Sequence, residues 1–220
     1  MSKNNILKEG LIFDWDGTLF NSVGTIIKSV QLACQELGAP ELSDEYVRAG
    51  IGLGEKDVCD YLFGKGNVGV VDFWTTYRRI YADFPIQLFP QVQLSLEKLV
   101  AQGFVLAVAT NKRSSEFERE LKKSGLAGCF SAWICADQSR SKPAPDMLIE
   151  VARQLGRIPE QFYMVGDTVH DAHAAQSAGC VMLGLDWGVA SREELSPVSE
   201  VVFSDMQALV DHVGEAELTT

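Results

Sequence analysis

Six short apolar runs punctuate the chain, and three of them stop at polar residues. Leu11-Ile12-Phe13 runs into Asp14, Phe104 to Ala109 runs into Thr110, and Phe162 to Val165 meets Gly166-Asp167. Ala132 to Cys135, Val181 to Leu185 and Val201 to Phe203 complete the set. Their hydrophobicity is continuous rather than alternating, which is the pattern of parallel strands covered on both faces. Helical spacing appears between them. Leu96, Leu99 and Val100 recur within 92–100, and Met147, Leu148, Val151 and Leu155 do the same ahead of a stop signal at Gly156. Strands alternating with helices predict an α/β fold with a doubly wound, Rossmann-like parallel sheet. Ligands in such folds bind beyond the carboxyl ends of the strands, so the polar residues there are the ones to examine.

One stretch breaks the rhythm. Between Phe20 and about Phe84 the pattern is helical only: Ile26, Ile27, Val30 and Ala33 share one face, and Tyr77, Ile80 and Tyr81 another. Some sixty residues exceed any plain crossover, whose loops run to about 2–6 residues outside the helix. The expected division is therefore an α/β core over 1–20 and 86–220, with an inserted α-helical cap over 21–85. Phe84-Pro85 and Phe89-Pro90 mark the return to the core.

Composition adds boundaries rather than detail. The chain is 46% hydrophobic and 22% charged, ordinary for a globular protein, with a formal net charge of −11. Such a surface argues against nucleic acid or an anionic membrane as partner, and a phosphate ligand would need cations close to its site. Met1 to Ile6 lacks the apolar stretch of a signal peptide, and no apolar run nears the ~20 residues of a membrane helix. The five cysteines are scattered and form no CxxC pair, so they read as buried thiols in a reducing cytoplasm.

Candidate chemistry collects at the strand ends. Asp14 and Asp16 lie two residues apart past the first run, so both carboxylates can reach one pocket while Trp15 turns into packing. Gly17 allows a sharp turn. One acid can attack phosphorus while the other serves as acid and then base, although this segment alone also reads as a solvated turn. Thr110 and Asn111 offer a hydroxyl and an amide to phosphoryl oxygens. Lys142, in Ser141-Lys142-Pro143-Ala144-Pro145-Asp146, supplies the local cation, in a loop stiffened by its prolines. Asp167 and Asp171, four apart, are expected to share a helical face, and hard oxygen ligands beside a phosphate suit Mg²⁺.

With these residues assembled, the chain resembles the haloacid dehalogenase superfamily on its phosphatase branch. Four motifs occur in the family's order: DWDGTLFNS from Asp14, VAT ending at Thr110, SKPAPD around Lys142, and GDTVHD from Gly166. The insertion resembles a helical (type C1) cap of the phosphoglycolate-phosphatase-like branch, as do Ile51-Gly52-Leu53-Gly54 and Cys135-Ala136-Asp137. The resemblance implies that Asp14 is the nucleophile, forming an aspartyl-phosphate, and that Asp16 protonates the leaving alcohol and then activates water. It implies Mg²⁺ held by the Asp14 carboxylate, the Asp16 backbone carbonyl and Asp167, with Asp171 behind them or on Lys142. Thr110 and the Asn111 backbone would hold the phosphoryl group, with Lys142 neutralising charge. Arg48, Lys112 and the Gly52-Leu53-Gly54 loop are candidates for reading the leaving group.

The implied partner is a small phosphorylated metabolite, met in the cytoplasm by a monomer or homodimer. Where the family motif continues to aspartate, this chain has Asn21, which can cap a helix equally well. His170 is read as a surface position, His173 and His212 have no motif partner, and Trp74, Trp133 and Trp187 are read as packing residues. The alternatives are a phosphomutase of the same superfamily, a dehalogenase (disfavoured by the presence of Asp16) and a binding protein that has lost catalysis.

Overall fold

The computed structural model describes residues 8–65, 70–85 and 87–218. The first six residues and the expected boundary at 86 lie outside the described residues. Strand β1 (Gly10–Phe13) is followed by helices α1 (Val23–Glu36), α2 (Asp44–Ala49), α3 (Glu55–Phe63) and α4 (Val70–Ala82). Then come α5 (Val92–Ala101), β2 (Val105–Thr110), α6 (Ser114–Ser124), β3 (Ala132–Cys135) and α7 (Asp146–Gln154). The chain continues through β4 (Phe162–Gly166), α8 (Val169–Ala178), β5 (Val181–Leu185), α9 (Arg192–Leu195), β6 (Val201–Phe203) and α10 (Met206–Leu218).

All six apolar runs form strands, pairing in parallel in the order β3-β2-β1-β4-β5-β6. Alternate side chains serve opposite faces. Leu11 and Phe13 join one apolar layer, with Leu96, Leu99, Phe117 and Val213 of α5, α6 and α10. Ile12 joins the other, with Met147, Val151, Ala172 and Ala175 of α7 and α8. Leu11, Ile12 and Phe13 are all fully buried. At roughly 1.5–3 kcal/mol for each such side chain, the strand that presents Asp14 is strongly anchored. Helix α7 ends as expected, with Gly156 in the left-handed region just beyond it (φ 68°).

The expected fold class, a doubly wound α/β core with a helical insertion, matches this arrangement. Helices α1 to α4 pack around a third cluster of their own, built on Ile27, Val30, Phe73 and Tyr77. At the start of α1 the expectation differs from the structure. Ser22 occupies the N-cap position without a side-chain capping bond, its Oγ donating to Phe20 O at 3.4 Å instead, and Asn21 is exposed with its backbone N–H donating to Gln87 O at 3.0 Å. The helix begins one residue later than a cap at Asn21 requires. All five cysteines are free thiols, four of them buried.

The strand order reverses direction between β1 and β4, which opens a crevice at their carboxyl ends. Asp14 and Asp167 lie at those two ends.

Candidate active site

Asp14 continues the ladder one step past β1, its amide donating to Val165 O at 2.9 Å. Gly17 then turns the chain at φ 78°. A Cβ on Gly17 would lie 2.2 Å from Asp167 Oδ2, and one on Gly188 would lie 2.1 Å from the same atom. Glycine is therefore required on both sides of this carboxylate. Thr18 Oγ1 donates to Asp167 Oδ1 at 2.6 Å and Val189 N donates to Oδ2 at 2.8 Å, which fixes its orientation. Trp15 is fully buried, as expected, and its indole donates to Glu120 at 2.8 Å.

Asp167 and Asp171 do converge, but not as one helical face. Asp167 precedes α8, and Thr168 caps it. Asp171 sits at the third helical position, accepting at Oδ2 from Thr168 N (3.1 Å) and Oγ1 (2.6 Å) in a reciprocal capping arrangement. Its Oδ1 accepts from Lys142 at 2.6 Å. The bend between strand and helix, rather than helical periodicity, brings the two acids together.

Lys142 is 2% exposed, and its three ammonium donors are all engaged: Asp14 Oδ1 at 2.8 Å, Asp171 Oδ1 and Ala109 O at 2.8 Å. Asn111 holds that loop. Its Oδ1 accepts from Lys142 N at 2.9 Å, while Nδ2 donates to Lys142 O at 2.9 Å and to Gly52 O at 2.8 Å. The Asn111 side chain thus ties the helical segment to the sheet end. Thr110 is buried at the last position of β2. The Gly52-Leu53-Gly54 loop lies against the site, and a Cβ on Gly54 would meet Ser141 Oγ at 2.7 Å.

Asp14, Asp16, Thr110, Asn111 and Lys112 line one cavity beneath helices α1 to α4. Lys112 reaches Asp16 Oδ1 at 3.1 Å and Glu120 Oε2 at 2.7 Å, with its ammonium 4.8 Å from the centre of the Tyr81 ring. Burial opposes its charge, but Asp16, Tyr81 and Glu120 outweigh that and hold its pKa well above the usual lysine range. Arg48 lies outside the cavity wall, and its guanidinium donates to Gly188 O at 3.1 Å. Trp74, read as packing, stands on the wall itself. His170 is half-buried beside Gly52 rather than on the surface.

Glu120 was not singled out in the sequence. Its signal was there: with Phe117 and Leu121 it occupies the buried face of α6, an acid at an apolar position. Thr18 and Val189 were missed too, because only the strand order brings them to Asp167.

Ligand oxygens of Asp14, Asp167 and Asp171 lie within 4.8 Å of one another, all three residues buried. Burial pushes Asp14 up to about 7; Lys142 opposes the shift and Asp171 adds to it. Asp167 is raised well above the usual carboxylate range by burial and by the charges of Asp14 and Asp171. Three buried acids facing one ammonium fit a hard divalent cation, which would supply the missing positive charge. A pH effect follows. Unfolded, Asp14 titrates near 3.8. Its raised folded value makes its contribution to stability greatest below about pH 4 and lost as pH rises to about 7, by up to ~1.4 kcal/mol per pH unit. In EDTA, urea midpoints are expected to fall over this range, and millimolar Mg²⁺ is expected to flatten the fall. A midpoint in EDTA that is level or rising between pH 5 and 7 would contradict the assignment.

A family model described as haloacid dehalogenase-like hydrolase matches residues 11–185. The chain is 30% identical over 207 residues to a probable phosphatase IndB from Dickeya dadantii, covering 90% of each. It is 32% identical over 207 residues to a phosphoglycolate phosphatase from Aliivibrio fischeri, covering 89% of this chain and 91% of that one. Among solved structures, a predicted phosphoglycolate phosphatase from Haemophilus somnus superimposes with a TM-score of 0.82 at 28% identity, over 93% of this chain and 97% of that one.

Proposed function

The chain belongs to the haloacid dehalogenase-like hydrolases, and from that membership we propose a magnesium-dependent phosphatase acting on a small phosphate monoester through a phosphorylated Asp14. The observation that carries this reading is the buried cluster itself: Asp14 within 2.8 Å of Lys142 at the mouth of β1, beside Asp167 and Asp171. The helical segment over 21–85 is its cap, and 1–20 with 86–220 its catalytic core. Among the described residues no helix is long and apolar enough to cross a membrane.

The Asp14 carboxylate attacks phosphorus, so a bond forms from its oxygen as the ester oxygen leaves. Asp16 gives its proton to that oxygen and later takes one from the water that cleaves the acyl phosphate, releasing inorganic phosphate and restoring Asp14. Lys112 holds the Asp16 carboxylate towards the cavity. Lys142 offsets the repulsion between an anionic nucleophile and an anionic phosphate, the main obstacle in this chemistry. Thr110 and the Asn111 backbone bind phosphoryl oxygens, the Asn111 side chain being committed to the two loops. Asp14, Asp167 and the Asp16 carbonyl would hold Mg²⁺, with Asp171 orienting Lys142. When bound, the ion supplies charge neutralisation and alignment of the phosphoryl group.

The deciding experiment is phosphate release from a panel of monoesters in Mg²⁺ against EDTA, with hexose-phosphate isomerisation followed in parallel. Mg²⁺-dependent release is expected. Isomerisation without net release would instead identify a mutase, and no turnover on any ester would remove the enzymatic reading.

A further inference from the structure

The cavity that receives Asp14 and Asp16 has a volume of about 100 Å³. Its wall away from the sheet is apolar, with Ile26 and Val30 from α1, Val47 from α2, and Leu62 from α3. Trp74 and Tyr77 from α4 complete it, packed edge to face 5.3 Å apart. The phosphoryl group bound at Asp14 takes up part of that volume, and the apolar wall borders what is left for the alcohol.

The charged side chains on the wall are Asp14, Asp16, Glu55, Glu116, Lys112 and Arg113. Both cations are matched. Lys112 is spent on Asp16 and Glu120, and Arg113 lies 3.5 Å from Glu55. Glu55 and Glu116 are further joined by Arg78, which bonds Glu116 at 2.6 Å and also contacts Glu55. Among the described residues, then, the wall carries more carboxylates than cations. An anionic group there would lose its water, face Glu55 and Glu116, and find no unmatched cation among the described residues of the wall. The phosphoryl group is provided for at the sheet end; a second anion is not.

Resting on the phosphatase reading above, we propose that the natural ester carries an uncharged, apolar alcohol, and that alcohols bearing a carboxylate, such as glycolate, are discriminated against. This sets the chain apart in specificity from the relatives named for phosphoglycolate.

The test compares benzyl phosphate with phosphoglycolate, using the full chain at saturating Mg²⁺. kcat/KM is expected to favour benzyl phosphate by at least about 100-fold. The variant Ile26→Arg, which puts a cation on a half-buried wall position, is expected to narrow that ratio at least about tenfold by gaining on phosphoglycolate. Equal or better turnover of phosphoglycolate by the unmodified chain would overturn the proposal and leave the phosphatase reading standing. So would an Ile26→Arg variant that is folded by circular dichroism and turns over benzyl phosphate, yet keeps the ratio. Absence of Mg²⁺-dependent release from both esters and from the wider panel would overturn both readings.

Discussion

Asp14→Asn is expected to lower kcat by about 10⁴-fold or more on any ester the chain hydrolyses, because it replaces the anionic carboxylate that attacks phosphorus with a neutral, weakly nucleophilic amide. The side chain keeps its shape but loses its negative charge and with it most of its nucleophilicity. Loss of activity through misfolding is separable here. Asp14 shares a buried pocket with Asp167 and Asp171, against the one ammonium of Lys142. Neutralising one of three like charges relieves repulsion that the metal-free fold otherwise bears, while costing one charged hydrogen bond of the kind worth about 1.5–3 kcal/mol. The two effects oppose each other, so the urea midpoint in EDTA should change little. Steady-state phosphate release and urea melts on the same preparation check both halves. A variant that retains more than a tenth of the activity would remove Asp14 from the nucleophile role.

Lys142→Ala combines the two losses. Its ammonium is buried and makes three contacts under 3 Å. Burial works against that charge, yet Asp14 and Asp171 hold the pKa above the usual lysine range. Removing it strands two buried carboxylates without their counterion, which costs about 3–5 kcal/mol. The proposed stabilisation of the phosphoryl group goes with it, worth about 10²–10³ in kcat. The stability loss should shrink at low pH, where Asp14 takes up a proton, and shrink again in high Mg²⁺. Urea unfolding at pH 5 and pH 8, with and without Mg²⁺, tests this pattern. A loss below about 1 kcal/mol at pH 8 in EDTA would mean the contacts are not those described.

The contact between helices α1 to α4 and the sheet end has a different character. Asn111 spans both loops with one side-chain amide, and Gly54 meets Ser141 so closely that no side chain fits without movement. Among the described residues, the segment also meets the core through the Arg78–Glu116 ion pair and through Val189, which packs against its apolar cluster. Contacts of this polar kind are consistent with the proposed role of the segment as a cap that opens for ligand exchange.

Much of this was legible from local pattern. Continuous apolar runs, three of them ending at polar residues, located all six strands to within a residue or so, because a strand covered on both faces has no polar position to spare. The same logic picked out Asp14, Thr110 and Asp167, since a polar residue ending such a run must sit at the rim of the sheet. Lys142 followed from charge: an acidic chain that handles phosphate needs a cation beside it.

What the sequence could not supply was adjacency. Thr18 and Asp167 are 149 positions apart and Lys112 and Asp16 are 96 apart. They meet only because β1 lies between β2 and β4. Glu120, the Gly188-Val189 brace and the matched charges around Arg78 depend on the same long-range order. Periodicity records which face of an element is buried, not which element covers it. The placement of Asp14 at the rim of the sheet was therefore readable along the chain, whereas the charge balance of the cavity above it was decided by the tertiary structure alone.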